Sequence, residues 1–252
     1  MPFAVLPALI PDIRAVYDVY FAAFSADPHG RQLLDILFPD GYSSEQFRTA
    51  QADATLAWWH RPDSNTQYTY KCVDVKTQEV VGMALCDVFT SAPRESVMPK
   101  VEWLAGEKRE RAEKVLTPLW EVRDRLWKGR GYIYVHAFAV HPKHQGHGAG
   151  AALVKALVGL GDTSGLPIYL ESSPGSEGLY RKLGFSRLPK DTASVVHAAS
   201  LIGTAEDVEV PLMVHLPGAE EEGEGGFAGA VAMDGARLWG GQQQQQQNNV
   251  LA

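Results

Sequence analysis

The stretch HPKHQGHGAG, residues 141–150, constrains the fold more than any other part of the chain. It follows YIYVHAFAV (132–140), which is apolar on both faces in the manner of a central strand. It leads into 149–160, where Leu153, Leu157 and Leu160 recur on one helical face. A turn this dense in glycine and histidine, set between a buried strand and a helix, has three readings.

The first is a metal site. His141, His144 and His147 are spaced by three, with His136 upstream. That spacing gathers ligands on one face only in a helix, and Pro142 with the glycines makes a loop. No acid lies in the stretch and neither cysteine is near it, so no metal is expected. The second is a dinucleotide turn. Gly146 to Ala151 matches G-x-G-x-x-A, and Glu171 stands 20 residues further on, where a ribose-binding acid belongs. Against it, HPKHQ separates the strand from the first glycine, and too little chain follows to build a doubly wound sheet. The third is a pyrophosphate loop of another kind. Unpaired N–H groups at the helix N-terminus and its dipole favour an anion. Glycines let a diphosphate approach the backbone.

Val140, Gln145, Gly148 and Gly150 fit the pattern Q/R-x-x-G-x-G/A with its upstream valine. This resembles the acetyl-CoA motif of the GNAT superfamily of N-acetyltransferases. LPIYLESS (166–173) is similar to that family's fifth strand, and GLYRKLGF (178–185) to its closing helix. The resemblance covers 131–187 closely, and YLESSPGSEGLYRKLGF is particularly like fungal GNAT proteins. It implies an α/β (α+β) fold: a mixed, mostly antiparallel sheet flanked by helices, splayed between its fourth and fifth strands to hold acetyl-CoA. It also implies direct acetyl transfer to an amine. By motif position, Gln145, Gly146, His147, Gly148, Ala149 and Gly150 would contact the diphosphate. Phe138, Ala139 and Val140 would line the pantetheine, with Ser173 and Tyr180 beside it. His147 stands where family members often carry a basic residue. Tyr180 is the candidate general acid. Glu171 and His136 are equal candidates for the base, and alternation along the strand puts His136 on one face with Tyr134 and Phe138.

The remaining chain sets the surroundings. Helices are expected over 11–24 and 44–60, with a loop between them at 25–43. A hairpin is expected from strands 66–75 and 80–89, then a variable insertion at 90–130 whose helical centre Pro118 interrupts. A last strand is expected over 208–216. The acceptor pocket is expected from 25–43 and 90–130, with Phe38, Tyr42, Trp58, Trp59 and Trp103 as candidate lining. The plainer expectation makes Trp58 and Trp59 core-facing helix residues. One domain, 1–217, is expected, followed by a flexible tail at 218–252 that is acid- and glycine-rich and carries the run Gln242 to Gln247.

Two cysteines imply no disulfide framework, and no window approaches a membrane span. The formal charge of −7 argues against nucleic acid as the main partner. A cytoplasmic protein is expected, with the nucleus as alternative, acting as monomer or homodimer. Its partners would be acetyl-CoA and an amine, more a small molecule than a protein lysine or N-terminus. A non-catalytic acyl-CoA-binding protein and an NAD-dependent enzyme are the other readings.

Overall fold

The computed structural model describes residues 2–60, 67–90 and 101–218. The expected tail beyond Gly218 and residues 91–100 of the expected insertion lie outside them. Nine strands are described: β1 (Phe3–Pro7), β2 (Gln67–Asp74), β3 (Val80–Phe89), β4 (Tyr132–Val140), β5 (Ile168–Glu171), β6 (Ser186–Arg187), β7 (Val195–His197), β8 (Val208–Val210) and β9 (Leu212–His215). Seven of them form one sheet in the order β1-β2-β3-β4-β5-β9-β6. Every neighbouring pair in it is antiparallel except β4 and β5, which run parallel. A single parallel pair cannot make a doubly wound dinucleotide fold.

The helices are α1 (Ile13–Ala26), α2 (Pro28–Leu37), α3 (Glu45–Trp59), α4 (Gly106–Trp127), α5 (Ala149–Ser164), α6 (Glu177–Lys182) and α7 (Ala199–Ile202). One sheet face is covered by α5 and α6, where Leu153, Val154 and Leu157 pack on Ile133, Val135 and Ile168. On the other face, α1 sets Val16, Val19 and Ala23 against Met83 and Ala139. Beside it, α4 sets Val122 and Trp127 against Tyr132, Tyr134 and Tyr169. Both cysteines are free and buried, and among the described residues no helix is long and apolar enough to cross a membrane.

Four sequence expectations change. The stretch 25–43 is not all loop, because Pro28–Leu37 is helical. Asp27 caps it, its carboxylate accepting from the Gly30 N–H at 2.7 Å, and Pro28 fills the first helical position. Pro118 does not interrupt α4. Buried Ala112 and Val115 before it and Val122 and Trp127 after it hold both halves in place. The last strand is two strands, broken at Pro211: β8 pairs with β7 in a separate ribbon, while β9 enters the main sheet. Trp58 is exposed and Trp59 half-buried, so neither is a fully buried core residue.

Candidate active site

The site begins where two strands part. β4 and β5 are in register only over Ile133–Ile168, Tyr134–Tyr169 and Val135–Leu170. β4 then continues to Val140 alongside β3, while Glu171 on β5 pairs with Leu212 of β9. Residues 136–140 therefore have β3 on one side and a cleft on the other. The His141 N–H bonds Val81 O on β3 at 2.9 Å. Strand backbone groups alternate in direction, so Phe138 and Val140 turn theirs into the cleft.

At the end of β4, Gln145 Nε2 donates to the Val140 carbonyl at 3.0 Å. This side chain pins the loop to the strand rather than reaching outward, which the motif alone does not reveal. Gly146 and Gly148 have φ of +77° and +93°, and a Cβ at either would meet nothing within 4 Å. The left-handed backbone calls for glycine, and the approach from solvent is open. The bond from Ala152 N–H to Gly148 O, 3.0 Å, starts the ladder of α5. The N–H groups of Ala149, Gly150 and Ala151 are left without helical acceptors, as at any helix N-terminus. These residues fit a diphosphate. His147 is exposed beside them, while His141 is drawn inward and accepts from the Lys143 N–H at 3.3 Å. Burial, helped by His144 and Lys143, lowers the pKa of His141.

Alternation along β4 fails at His136. Leu85 pairs with Ala137 and Cys86 with Val135, so His136 is an extra residue in a bulge. The phase flips there. Phe138 and Val140 lie with Val135 on the α5 face, and Tyr134 lies with Tyr169 on the α4 face. His136 therefore does not share a face with both Tyr134 and Phe138. Its ring tilts against Tyr134, with centroids 4.2 Å apart, and Nε2 meets Asp87 Oδ2 on β3 at 2.5 Å.

Glu171 follows Tyr169 on the α4 face, its side chain only 9% exposed. Arg123 of α4 lies 3.9 Å from Glu171 Oε1 and stacks over the Tyr134 ring at 3.9 Å from its centroid. Burial raises the Glu171 pKa, opposed by Arg123, by the Tyr134 and Tyr169 hydroxyls and by His136. Glu171 Oε1 and Tyr169 Oη nonetheless make no well-formed hydrogen bond. Glu171 and His136, candidates of equal standing in the sequence, thus belong to one cluster with Asp87, Arg123, Tyr134 and Tyr169. The last four carry no local sequence signal, since they come from four separate elements.

Tyr180 lies on the opposite face. It is buried, edge-on to Phe138 and Phe185 at 5.7 and 5.5 Å, and burial raises its pKa. Its phenol keeps its proton throughout the neutral range. Ser173 stands at the head of the turn Pro174–Ser176 that leads to α6, its hydroxyl donating to Ser176 Oγ at 2.9 Å rather than capping the backbone. Ala139 is buried against α1, and by the same alternation its backbone N–H and C=O turn to β3, so its side chain and its backbone groups both face away from the cleft.

Of the expected aromatic lining, Phe38, Tyr42 and Trp103 join Phe21 and Phe47 in one chain of ring contacts. Trp103 is held there by its Nε1–H, which donates to Leu37 O at 2.9 Å. A groove of about 660 Å³ has Pro28, His29 and Gln32 of α2 on one wall and no described residue of the 90–130 segment. Its other walls are Pro174, Glu177, Arg187 and the segment 203–209 with Pro211, which the sequence did not mark.

Comparison with known proteins agrees with this geometry. A probable acyltransferase, SID5, of Ajellomyces capsulatus is 35% identical over 124 residues, 48% of this chain and 81% of that protein. The fold is that of the mosquito arylalkylamine N-acetyltransferase like 5b, with a TM-score of 0.59 at 15% identity, over 85% of this chain and 99% of that one. The putative arylalkylamine N-acetyltransferase 7 of the yellow fever mosquito gives the same TM-score at 13% identity, over 85% and 87%. The model of the acetyltransferase (GNAT) family matches residues 30–185. The chain belongs to the GNAT acetyltransferase family.

Proposed function

We propose that the protein transfers acetyl from acetyl-CoA to the primary amine of a small molecule. One observation carries the reading. Where β4 and β5 part, the glycine loop and the Tyr180 ring, which packs on Phe138, belong to the α5 face, and the buried carboxylate of Glu171 belongs to the opposite face. Two reactants can therefore enter from opposite sides and meet in the gap, which supplies proximity without a covalent enzyme intermediate.

Each group has a task in that scheme. The N–H groups of 149–151 and the open glycines hold the diphosphate. The N–H groups of Phe138 and Val140 face the pantetheine and the acetyl carbonyl, where one of them stabilises the oxyanion. Glu171 takes a proton from the substrate ammonium, directly or with His136 as its neighbour, and frees the nitrogen lone pair. As the C–N bond forms and the C–S bond breaks, Tyr180 gives its proton to the departing thiolate. The proton shed by the new amide nitrogen restores the balance through solvent. The rings of Phe38, Tyr42 and Trp103, gathered around Phe21 from the two segments expected to form the acceptor pocket, favour an apolar small amine over a polycationic protein segment.

The test is incubation of the purified protein with acetyl-CoA and a panel of primary amines, following free thiol release and acetylated product by mass spectrometry. Acetylated amine with stoichiometric thiol is the expected result. Acetyl-CoA binding without product from any amine, or product only on lysines of added protein, would overturn the reading.

A further inference from the structure

The described part of the insertion between β3 and β4 does more than cover the sheet. It delivers Arg123 to the one buried carboxylate at the parting of β4 and β5. Four features of that delivery matter together. The guanidinium is mostly buried, its side chain 16% exposed, and stacks on Tyr134. It makes no hydrogen bond among the described residues. Its nearest carboxylate oxygen, Glu171 Oε1, lies at 3.9 Å, beyond hydrogen-bond reach but well within Coulombic reach. That same oxygen and the neighbouring Tyr169 hydroxyl are buried and unpartnered.

An arginine placed only for stability would clasp the carboxylate with both arms of its fork. Such a clasp would occupy the lone pairs that a base needs. Here the positive charge sits one atom's width too far to clasp, fixed by the Tyr134 ring, and the lone pairs of Oε1 stay free. We propose that Arg123 is a positioning residue that keeps Glu171 ionised without occupying it, so that the inserted helix completes the base. The inference rests on the reading of Glu171 as the proton acceptor.

The charged and titratable groups around Glu171 are few. They are Arg123 on α4, Tyr132, Tyr134 and His136 on β4, and Tyr169 on β5, with Asp87 behind His136 on β3. All three tyrosines are pushed above their ordinary range, first by burial, and stay neutral. Arg123 is the one permanent positive charge among these groups. Burial works against that charge, but Tyr134 and Glu171 raise its pKa on balance. Burial already raises the Glu171 pKa against this charge, and removing it should raise that pKa further.

The test compares the full chain with Arg123→Met, Arg123→Lys and Glu171→Gln by infrared titration. The protonated carboxyl band absent from Glu171→Gln is assigned to Glu171. In Arg123→Met that band should persist to a pH higher by about one unit or more. Arg123→Lys keeps the charge and should stay close to the native midpoint. Arg123→Met has similar bulk, and its melting curve reports whether it folds. If it does not fold, the decision falls to Arg123→Ala in Glu171→Gln and native backgrounds, where loss of stability confined to the native background supports the charge coupling. An unchanged Glu171 midpoint in folded Arg123→Met, or equal losses in both backgrounds, overturns the proposal. Turnover of 2-phenylethylamine, or of whichever amine is acetylated, separates this from the reading beneath it. Full activity in Glu171→Gln would refute the base while leaving the infrared result for Arg123 intact.

Discussion

The two sides of the β4–β5 gap are built from different material. On the α5 face the loop works through backbone: left-handed glycines, N–H groups at a helix start, and one glutamine that ties the turn to its strand. On the α4 face the cluster works through side chains from β3, β4, β5 and α4, held by burial. A backbone site tolerates many side chains but few changes of φ or of charge. A side-chain site fails when one group is removed, because burial leaves its neighbours unpaired.

The largest effect should fall on the side-chain half. Glu171→Gln is expected to lower kcat/KM by about 10²–10⁴-fold with acetyl-CoA affinity unchanged, measured by steady-state kinetics and calorimetry. A matched loss of acetyl-CoA affinity would break the division between the two faces. The pH profile sharpens it. The folded pKa of Glu171 lies above its ordinary value, chiefly through burial. As pH rises, the unfolded chain releases this proton first, so the group withdraws stability until it ionises in the folded protein as well. It acts as a base only above its folded pKa. The acid limb of kcat/KM should therefore lie above that of an exposed glutamate and vanish in Glu171→Gln.

Tyr180→Phe is next. It keeps the ring against Phe138 and Phe185 and removes only the acidic hydroxyl. A fall in kcat of about 10²-fold with little change in melting temperature is expected, and native kcat would leave Tyr180 a packing residue. Gly148→Glu comes third and attacks the backbone half. It should weaken acetyl-CoA binding about tenfold or more, by placing a carboxylate where a diphosphate approaches. The +93° φ adds strain of about 1–3 kcal/mol, so calorimetric binding must be read beside the melting curve. The smallest change is His147→Lys. At this exposed position an added charge should tighten acetyl-CoA by less than about tenfold and make affinity fall with salt. Salt-independent affinity would place the side chain away from the phosphates.

This division also explains what the sequence disclosed. The loop is local: strand, bridge, glycines and helix follow one another, so Val140, Gln145, Gly148 and Gly150 spell it out in order. Glu171, His136 and Tyr180 were visible as candidates because they flank or follow that unit. The bulge at His136 was not visible, since it is defined by the count of residues on β3 opposite. Arg123 and Asp87 were hidden for the same reason. Each looks like an ordinary surface charge until β3, β4, β5 and α4 converge. The Asp27–Pro28 pair at the head of α2 does carry a readable signal, a cap followed by proline, within a stretch whose composition reads as loop. The break of the last strand at Pro211 was likewise written in the sequence.

The most direct measurement is the thermal unfolding midpoint of the native protein, Glu171→Gln and Gly148→Glu, each alone, with acetyl-CoA and with NAD. At a hundred times its dissociation constant, a ligand of the folded state alone adds about 2.7 kcal/mol. Acetyl-CoA should raise the midpoints of the native protein and Glu171→Gln alike and stabilise Gly148→Glu by no more than about half as much. A rise with NAD instead, or an acetyl-CoA shift that Gly148→Glu retains in full, would contradict the assignment of the loop and of the two faces built around it.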